Sequence, residues 1–338
     1  MSRPIIAVTD TAVPDDSLER QLAEQEEATY RHWDGNADVA ATLDGAQLVF
    51  TNFVELGAAE LGRLSDGAVV VRYGIGVDNI DLDAAAAAGI TVCNVPDYGA
   101  NVVADHASML ALMLVRRVQD FDRALHRGAE PTPTEFGPVP SMESRTVGLV
   151  GAGRIAQLVA RRLQTFGCTT LAYDPYVTSQ ELSAQQIQPV AWSELLTRTD
   201  ILSLHVPLTA STQHLLDDAA FATIRRGAYL INTARGGLVD HAALVRALDA
   251  GQLAGAALDV TEPEPLPPDH PLRSRPDVIL TPHVAFHSIE SMARLQTLAV
   301  DEGRRALRGE PLRSPVPLPG PDGRADEEPH TSERGAHP

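Results

Sequence analysis

The sequence contains no lysine, and all of its 27 basic residues are arginines. That absence excludes Schiff-base chemistry, a phosphate loop of the lysine type, and any lysine acting as acid or base. Cationic recognition falls to arginine, which is always charged and presents a rigid fork of donors. Cysteine is nearly absent as well: Cys93 and Cys168 stand far apart, with no CxxC or Cys/His spacing. A disulfide framework and a structural zinc site are therefore not expected, no metal ligand set is assigned, and a reducing cytoplasm is the simplest compartment. No apolar stretch approaches the roughly 18–20 residues that span a bilayer. The first nine residues run straight into a strand-like segment with no leader pattern, so a soluble, cytoplasmic protein is expected. Positive charge is outweighed by 45 acidic residues, giving a net charge of −18. Such a balance argues against nucleic acid or an anionic membrane as partner and fits a solvated acidic surface.

What the chain does contain is α/β patterning. IIAVT (5–9), AQLVF (46–50), AVVVR (68–72) and ITVCNV (90–95) are predicted strands, and DLDAAAAAG (81–89) a helix ending at Gly89. A long apolar helix is predicted from about 102 to 118, hydrophobic enough all round to be buried. A proline-rich connector covers 128–141. A second series follows, TVGLV, CTTLAYD, ILSLHVP, AYLINTA, GAALDV and VILTPHV, with helices between most of them, in the order of a doubly wound dinucleotide fold. A last helix is expected near 288–308, and from about 312 the chain has almost nothing apolar to bury, which predicts a disordered tail.

The segment GAGRIA (151–156) follows a strand and opens a helix. Gly151 permits the tight turn, Gly153 lets backbone approach a pyrophosphate, and the small Ala156 lets the helix pack against the strand. Asp174 ends the next strand, where a carboxylate accepts hydrogen bonds from ribose hydroxyls and repels a 2′-phosphate. No arginine follows it to neutralise such a phosphate, so NAD is favoured over NADP. Glycine-rich turns are common, and the strand–turn–helix frame with its acidic residue is what makes this one informative.

Three later residues supply an acid–base set: Arg235 in NTARGGLVD, Glu264 in ALDVTEPEPL and His283 in TPHVAF. Singly, each has an ordinary structural explanation, as a turn arginine, an exposed glutamate or a strand-end histidine. Together they are what hydride transfer to a 2-oxo acid requires. An arginine grips the carboxylate and polarises the carbonyl, a histidine carries the hydroxyl proton, and a carboxylate orients the histidine.

From about residue 46 to 308 the sequence resembles the D-isomer-specific 2-hydroxyacid dehydrogenases, in the segments RYGIGVDNID, NVPDYGANVVADHA, VGLVGAGRIA, LHVPLT, INTARGGLVD, ALDVTEPEP and TPHVAF. The resemblance implies two doubly wound parallel-sheet domains, with a Rossmann NAD domain (102–283) inserted into a flavodoxin-like substrate domain (1–101 plus 284–311). It implies Arg235, Glu264 and His283 as the catalytic set and the amides of Ile75 and Gly76 as carboxylate anchors. It places Arg154 and Ile155 at the pyrophosphate, and His205, Pro207, Thr233, Ala234 and Asp259 along the rest of the cofactor. A homodimer pairing through the long helix is also implied.

The wording RYGIGVDN, CNVPDY and ADHA is most similar to a subgroup that includes the C-terminal-binding proteins. An NAD(H)-sensing, protein-binding role is therefore the alternative to an enzyme. Phe286 stands where those proteins usually carry tryptophan, Asp105 replaces a glutamate common in the family, and the 128–145 loop lacks a common tryptophan-bearing pattern. Arg72, beside the expected anchoring loop, would suit a substrate with a second anionic group such as phosphate, phosphonate or carboxylate. On its own, His106 is expected to be a hydrogen-bonded histidine of the long helix rather than a metal ligand, and Asp240 a helix cap.

Overall fold

The computed structural model describes residues 3–13, 15–36 and 38–318. The chain forms two compact units, one holding residues up to Tyr98 and from Ile289 onward, the other running Gly99–Ser288.

In the first unit the elements are β1 (Ile5–Val8), α1 (Ser17–Gln25), β2 (Thr29–His32), α2 (Ala40–Leu43), β3 (Leu48–Thr51), α3 (Ala58–Leu61), β4 (Val69–Arg72), α4 (Leu82–Ala87) and β5 (Thr91–Cys93). The five strands are parallel in the order β2-β1-β3-β4-β5, a flavodoxin-like winding. Their continuous apolar runs are covered on both faces: Ile6, Ala7, Val8, Leu48, Val49, Phe50, Val70 and Val71 are all buried. The strand that periodicity does not reveal is β2, whose TYRH lies at the sheet edge with no fully buried residue.

The second unit contains α5 (Ala100–Val115), α6 (Val118–His126), β6 (Thr146–Val150), α7 (Arg154–Gln164), β7 (Thr169–Tyr173), α8 (Ser179–Ala184), β8 (Gln188–Pro189), α9 (Trp192–Arg198), β9 (Ile201–Leu204), α10 (Asp218–Thr223), β10 (Ala228–Asn232), α11 (His241–Asp249), β11 (Leu253–Leu258) and β12 (Val278–Leu280). The parallel sheet runs β12-β11-β10-β9-β6-β7-β8. The chain leaves β6 toward β7 and β8, then returns to place β9 on the other side of β6. The gap between β6 and β9 is thus the topological switch point, where doubly wound sheets bind ligands at the carboxyl ends of their strands. Afterwards α12 (Ile289–Arg308) packs on β3 and β4 of the first unit. Among the described residues no helix is long and apolar enough to cross a membrane.

Three expectations need correction. The long helix runs Ala100–Val115 and stops short of 118, because Arg117 adopts a left-handed φ of 52° and separates α5 from α6. The second unit is longer at both ends than 102–283. Gly99 caps α5 at its start, and the amides of Val284 and Ala285 are bound by Asp259, which keeps the 284–288 segment with this unit.

The third concerns the tail, of which residues 319–338 lie outside the described residues. Residues 312–318 are ordered against the first unit. The buried Glu302 carboxylate accepts from the Arg313 amide at 2.8 Å and the Ser314 amide at 3.1 Å. The Val316 amide donates to Val92 O at 2.8 Å, Pro315 bridges Cys93 antiparallel, and Val316 and Leu318 rest on the core. Sequence composition missed this because the anchor is a buried carboxylate taking backbone amides, which needs no apolar run. Both cysteines are free and buried. Burial pushes both thiols upward.

A chain ending at Pro311 should therefore melt several degrees below one ending at Leu318. It leaves the Glu302 charge without its amide donors, which costs about 1–3 kcal/mol before the lost packing is added. Equal melting temperatures by calorimetry would show that residues 312–318 contribute nothing.

Candidate active site

Every cofactor or catalytic residue expected in the second unit lies just beyond the carboxyl end of a parallel strand. Gly151 follows β6 with a φ of 85°, and a Cβ there would come within 2.8 Å of both His205 O and Val206 Cγ1. Only glycine lets these two strand ends approach so closely at the switch point. Gly153 is extended, and nothing lies within 4 Å of where its Cβ would be, so the turn is open for a ligand's approach. From there α7 begins at Arg154 and Ile155, its first-turn amides forming the positive end of the helix dipole. Ala156 is fully buried against the sheet, as its small size predicts.

Asp174, beyond β7, does more than the ribose role its position suggests. Its Oδ2 accepts from the Ala152 amide at 2.7 Å and its Oδ1 from the Tyr176 amide at 2.8 Å, tying the glycine turn to the next strand. Oδ1 also accepts from the Val177 amide at 3.2 Å, so of a carboxylate's roughly four lone-pair positions about one remains for a hydroxyl donor. His205, beyond β9, places Nε2 2.9 Å from Ser203 Oγ, and burial pushes its imidazole down to about 4, leaving it neutral near pH 7. Pro207 follows, its carbonyl accepting from Thr212 Oγ1 at 2.7 Å. Beyond β10 the Ala234 amide donates to Asn232 Oδ1 at 3.0 Å.

Next to it, the Thr233 hydroxyl is buried with no hydrogen-bond partner among the described residues. Such an orphan costs about 1–3 kcal/mol unless a bound group satisfies it. An open glycine turn, a helix N-terminus and an orphaned hydroxyl along one line of strand ends fit an extended, polar, phosphorylated cofactor.

Arg235, Glu264 and His283 follow β10, β11 and β12, three adjacent strands. Asn232 Nδ2 donates to Arg235 O at 2.7 Å, and Arg235 Nη1 donates to Ala234 O at 2.8 Å. At the next residue, Gly236, a Cβ would lie 2.1 Å from the Thr261 carbonyl. The ARGG turn thus packs against the backbone of the TEPEP loop that carries Glu264.

His283 Nδ1 lies 2.8 Å from Glu264 Oε1. Partial burial pushes the Glu264 carboxyl up, but the His283 hydrogen bond and charge, a backbone bond at Thr261 and the Arg235 charge outweigh it and hold the group below the usual glutamate range. All three expected side chains therefore belong to one electrostatic cluster. Phe286 stands edge-on to His283, ring centroids 5.9 Å apart.

The loop that presents His283 is held by Asp259. The His283 amide donates to Asp259 O at 2.7 Å, and the Asp259 carboxylate accepts from Thr281 Oγ1 at 2.6 Å and from the Val284 and Ala285 amides at 2.9 Å. Its side chain has no exposed surface. The structure thus gives Asp259 a task that a place along the cofactor does not imply. The threonine of TPH was the only signal for it in the sequence.

Arg72, Ile75 and Gly76 belong to the first unit. Arg72 ends β4, donates through Nε to Asn52 O at 3.2 Å, and has its guanidinium 6.0 Å from the Phe53 ring centre. Ile75 is exposed at 38%, and its carbonyl is pinned by Asn94 Nδ2 at 2.7 Å, which orders the 74–76 turn. A cavity of about 500 Å³ in the second unit is not at the catalytic loops. It lies by the opposite strand ends, among Arg117, Arg123, Phe136, Tyr229, Arg273 and Asp277. Among the described residues no group of three His, Cys, Asp or Glu side chains could hold a metal ion.

Residues 108–285 match the NAD binding domain of the D-isomer specific 2-hydroxyacid dehydrogenases. The chain is 35% identical over 314 residues to the D-3-phosphoglycerate dehydrogenase of Mycobacterium tuberculosis, covering 92% of this chain but 58% of that protein. It therefore spans little more than half the length of that relative. It is 39% identical over 248 residues to a glyoxylate reductase of Thermofilum pendens, 72% of each chain. The D-lactate dehydrogenase of Aquifex aeolicus, solved with NAD and lactic acid, superposes with a TM-score of 0.81 at 27% identity, over 90% of this chain and 96% of that one. With the glycine turn, the strand-end acid–base cluster and these likenesses in agreement, the chain belongs to the D-isomer specific 2-hydroxyacid dehydrogenase family, and its cofactor is NAD.

Proposed function

We propose that the chain is an oxidoreductase that moves a hydride between NAD(H) and C2 of a small D-2-hydroxy or 2-oxo acid. The observation that carries this reading is the 2.8 Å contact between His283 Nδ1 and Glu264 Oε1 at strand ends beside Arg235. NAD, when bound, supplies or accepts the hydride. The protein's residues do the rest. With the Glu264 carboxyl held ionised, Nδ1 keeps its hydrogen as donor, so the proton that exchanges with the substrate oxygen sits on Nε2. His283 delivers that proton during reduction and removes it during oxidation. Arg235 binds the substrate carboxylate and polarises the carbonyl, and Asp174 takes the ribose hydroxyls.

Names of relatives support the substrate class: phosphoglycerate dehydrogenase, glyoxylate reductase and D-lactate dehydrogenase each act on a small 2-hydroxy or 2-oxo acid. Arg72 would recognise a second anion, and the Ile75–Gly76 amides the carboxylate. The two buried, free cysteines suit the cytoplasm. A homodimer through the second unit is supported by large apolar side chains left exposed on α5 and α6: Met109 at 42%, Val118 at 48% and Leu125 at 61%. Light scattering should give twice the chain mass, and the double variant Met109→Glu/Leu125→Glu should give the single mass. A monomeric parent would sink the dimer.

NADH consumption over a panel of 2-oxo acids, with and without a phosphate or second carboxylate, tests the reaction. Tight NADH binding without turnover on any of them would overturn it. Arg72→Ala should raise KM roughly tenfold for doubly charged substrates, as losing a charge-assisted hydrogen bond does, and leave glyoxylate unchanged. Equal effects on both substrate types would make Arg72 structural.

Glu264→Gln removes the carboxylate that accepts from His283 Nδ1, so turnover should fall in both directions while NADH affinity stays close to the parent. His283→Ala should cost about 10²–10⁴-fold in turnover. Near-normal turnover in either variant would refute these roles.

A further inference from the structure

We propose that His106 of α5 is a positioning residue for His283, acting through the Thr281 hydroxyl on the Asp259 clamp. The inference rests on His283 being the proton carrier. His106 Nε2 lies 3.1 Å from Thr281 Oγ1 and 3.7 Å from Asp259 Oδ1, so its hydrogen bond is to the hydroxyl and its reach to the carboxylate is electrostatic only.

Counting protons fixes the direction. Thr281 Oγ1 is 2.6 Å from Asp259 Oδ1, and a carboxylate at that distance must receive the hydroxyl proton. The hydroxyl then faces His106 with a lone pair, so His106 must donate from Nε2. A directed series of bonds runs from the helix to the loop: His106 Nε2–H to Thr281 Oγ1, Thr281 O–H to Asp259 Oδ1. The same carboxylate holds the Val284 and Ala285 amides.

What this series holds in place is strained. His283 has a φ of 53°, a left-handed conformation that a side chain bearing a Cβ rarely adopts. Such a residue persists only where its surroundings over-determine it. The flanking amides on Asp259 do this, and Asp259 can take both only in one orientation. Thr281 fixes that orientation from one side, and His106 keeps the Thr281 rotor from turning its proton away. The His106 side chain is only 15% exposed, which limits the access of water as an alternative donor.

The test compares variants of the full chain by two readouts, hydrogen exchange of the peptide spanning residues 281–287 and turnover of NADH. His106→Leu should speed exchange of those amides and lower kcat, each about tenfold, the effect of one hydrogen bond. NADH affinity, read by fluorescence, should stay close to the parent. His106→Gln carries an N–H near the Nε2 position and should restore most of both losses. Thr281→Val should resemble His106→Leu, and the double variant should be no worse than Thr281→Val alone, because both break one series.

Parental behaviour of His106→Leu, a Gln variant as damaged as the Leu variant, or additive losses in the double variant would each overturn the proposal. If the parent turns over no 2-oxo acid while exchange responds as described, the enzymatic reading fails and the hold of His106 on the loop stands.

Discussion

A buried carboxylate governs the geometry of the candidate site. Asp259 closes β11 with no side-chain exposure and accepts from a hydroxyl and two amides, while its own carbonyl takes the His283 amide. Burying a carboxylate is unfavourable unless donors replace its water shell, and here three do. Those donors come from residues 281, 284 and 285, the two sides of His283. The requirement that a buried charge be satisfied is therefore the same requirement that places the imidazole. Glu264 then needs only to meet a ring whose position is already set, and the 2.8 Å contact follows.

The strand ends distribute this chemistry by a simple rule. Because every strand of the second unit is parallel, all carboxyl ends lie along one edge of the sheet, and the loops leaving β6, β7, β9, β10, β11 and β12 share it. Half of that edge, around the switch point, offers glycine, helix N-terminus and polar groups. The other half offers Arg235, Glu264 and His283. With no lysine in the chain, its fixed positive charges come from arginine. Arg235 acts on Glu264 through charge, and Arg72 at the end of β4 is oriented by the Asn52 carbonyl.

Much of this was legible in the sequence because it depends on short-range rules. Continuous apolar runs gave the buried parallel strands, GAGRIA gave the turn, and Asp240 caps α11 through the Ala242 and Ala243 amides. The features that escaped have other causes. The strand β2 is polar and peripheral, so period-two burial never marks it. The break at Arg117 is a single left-handed residue without glycine. The ordered 312–318 segment is held by Glu302, and the loop of His283 by Asp259, in each case a buried carboxylate reaching backbone amides far away in the chain. Amide donors exist at every residue but proline, so nothing in composition signals which of them a distant carboxylate will take.

The direction of the Glu264 shift decides how the acid–base pair behaves. Its folded-state carboxyl is held below the ordinary glutamate range, by His283 first among the groups that lower it. A depressed carboxyl contributes to stability above its unfolded value and loses that contribution as pH falls through the lower folded value. The Glu264 carboxylate is therefore ionised across the neutral range, and its contact with His283 Nδ1 is kept there. One ring nitrogen of His283 thus has a fixed partner within the protein. In the proposed reaction that fixed partner would let a single histidine serve both directions, because the Nδ1 hydrogen bond holds the ring whether or not Nε2 carries a proton. Asp259 does for the backbone of His283 what Glu264 does for its ring.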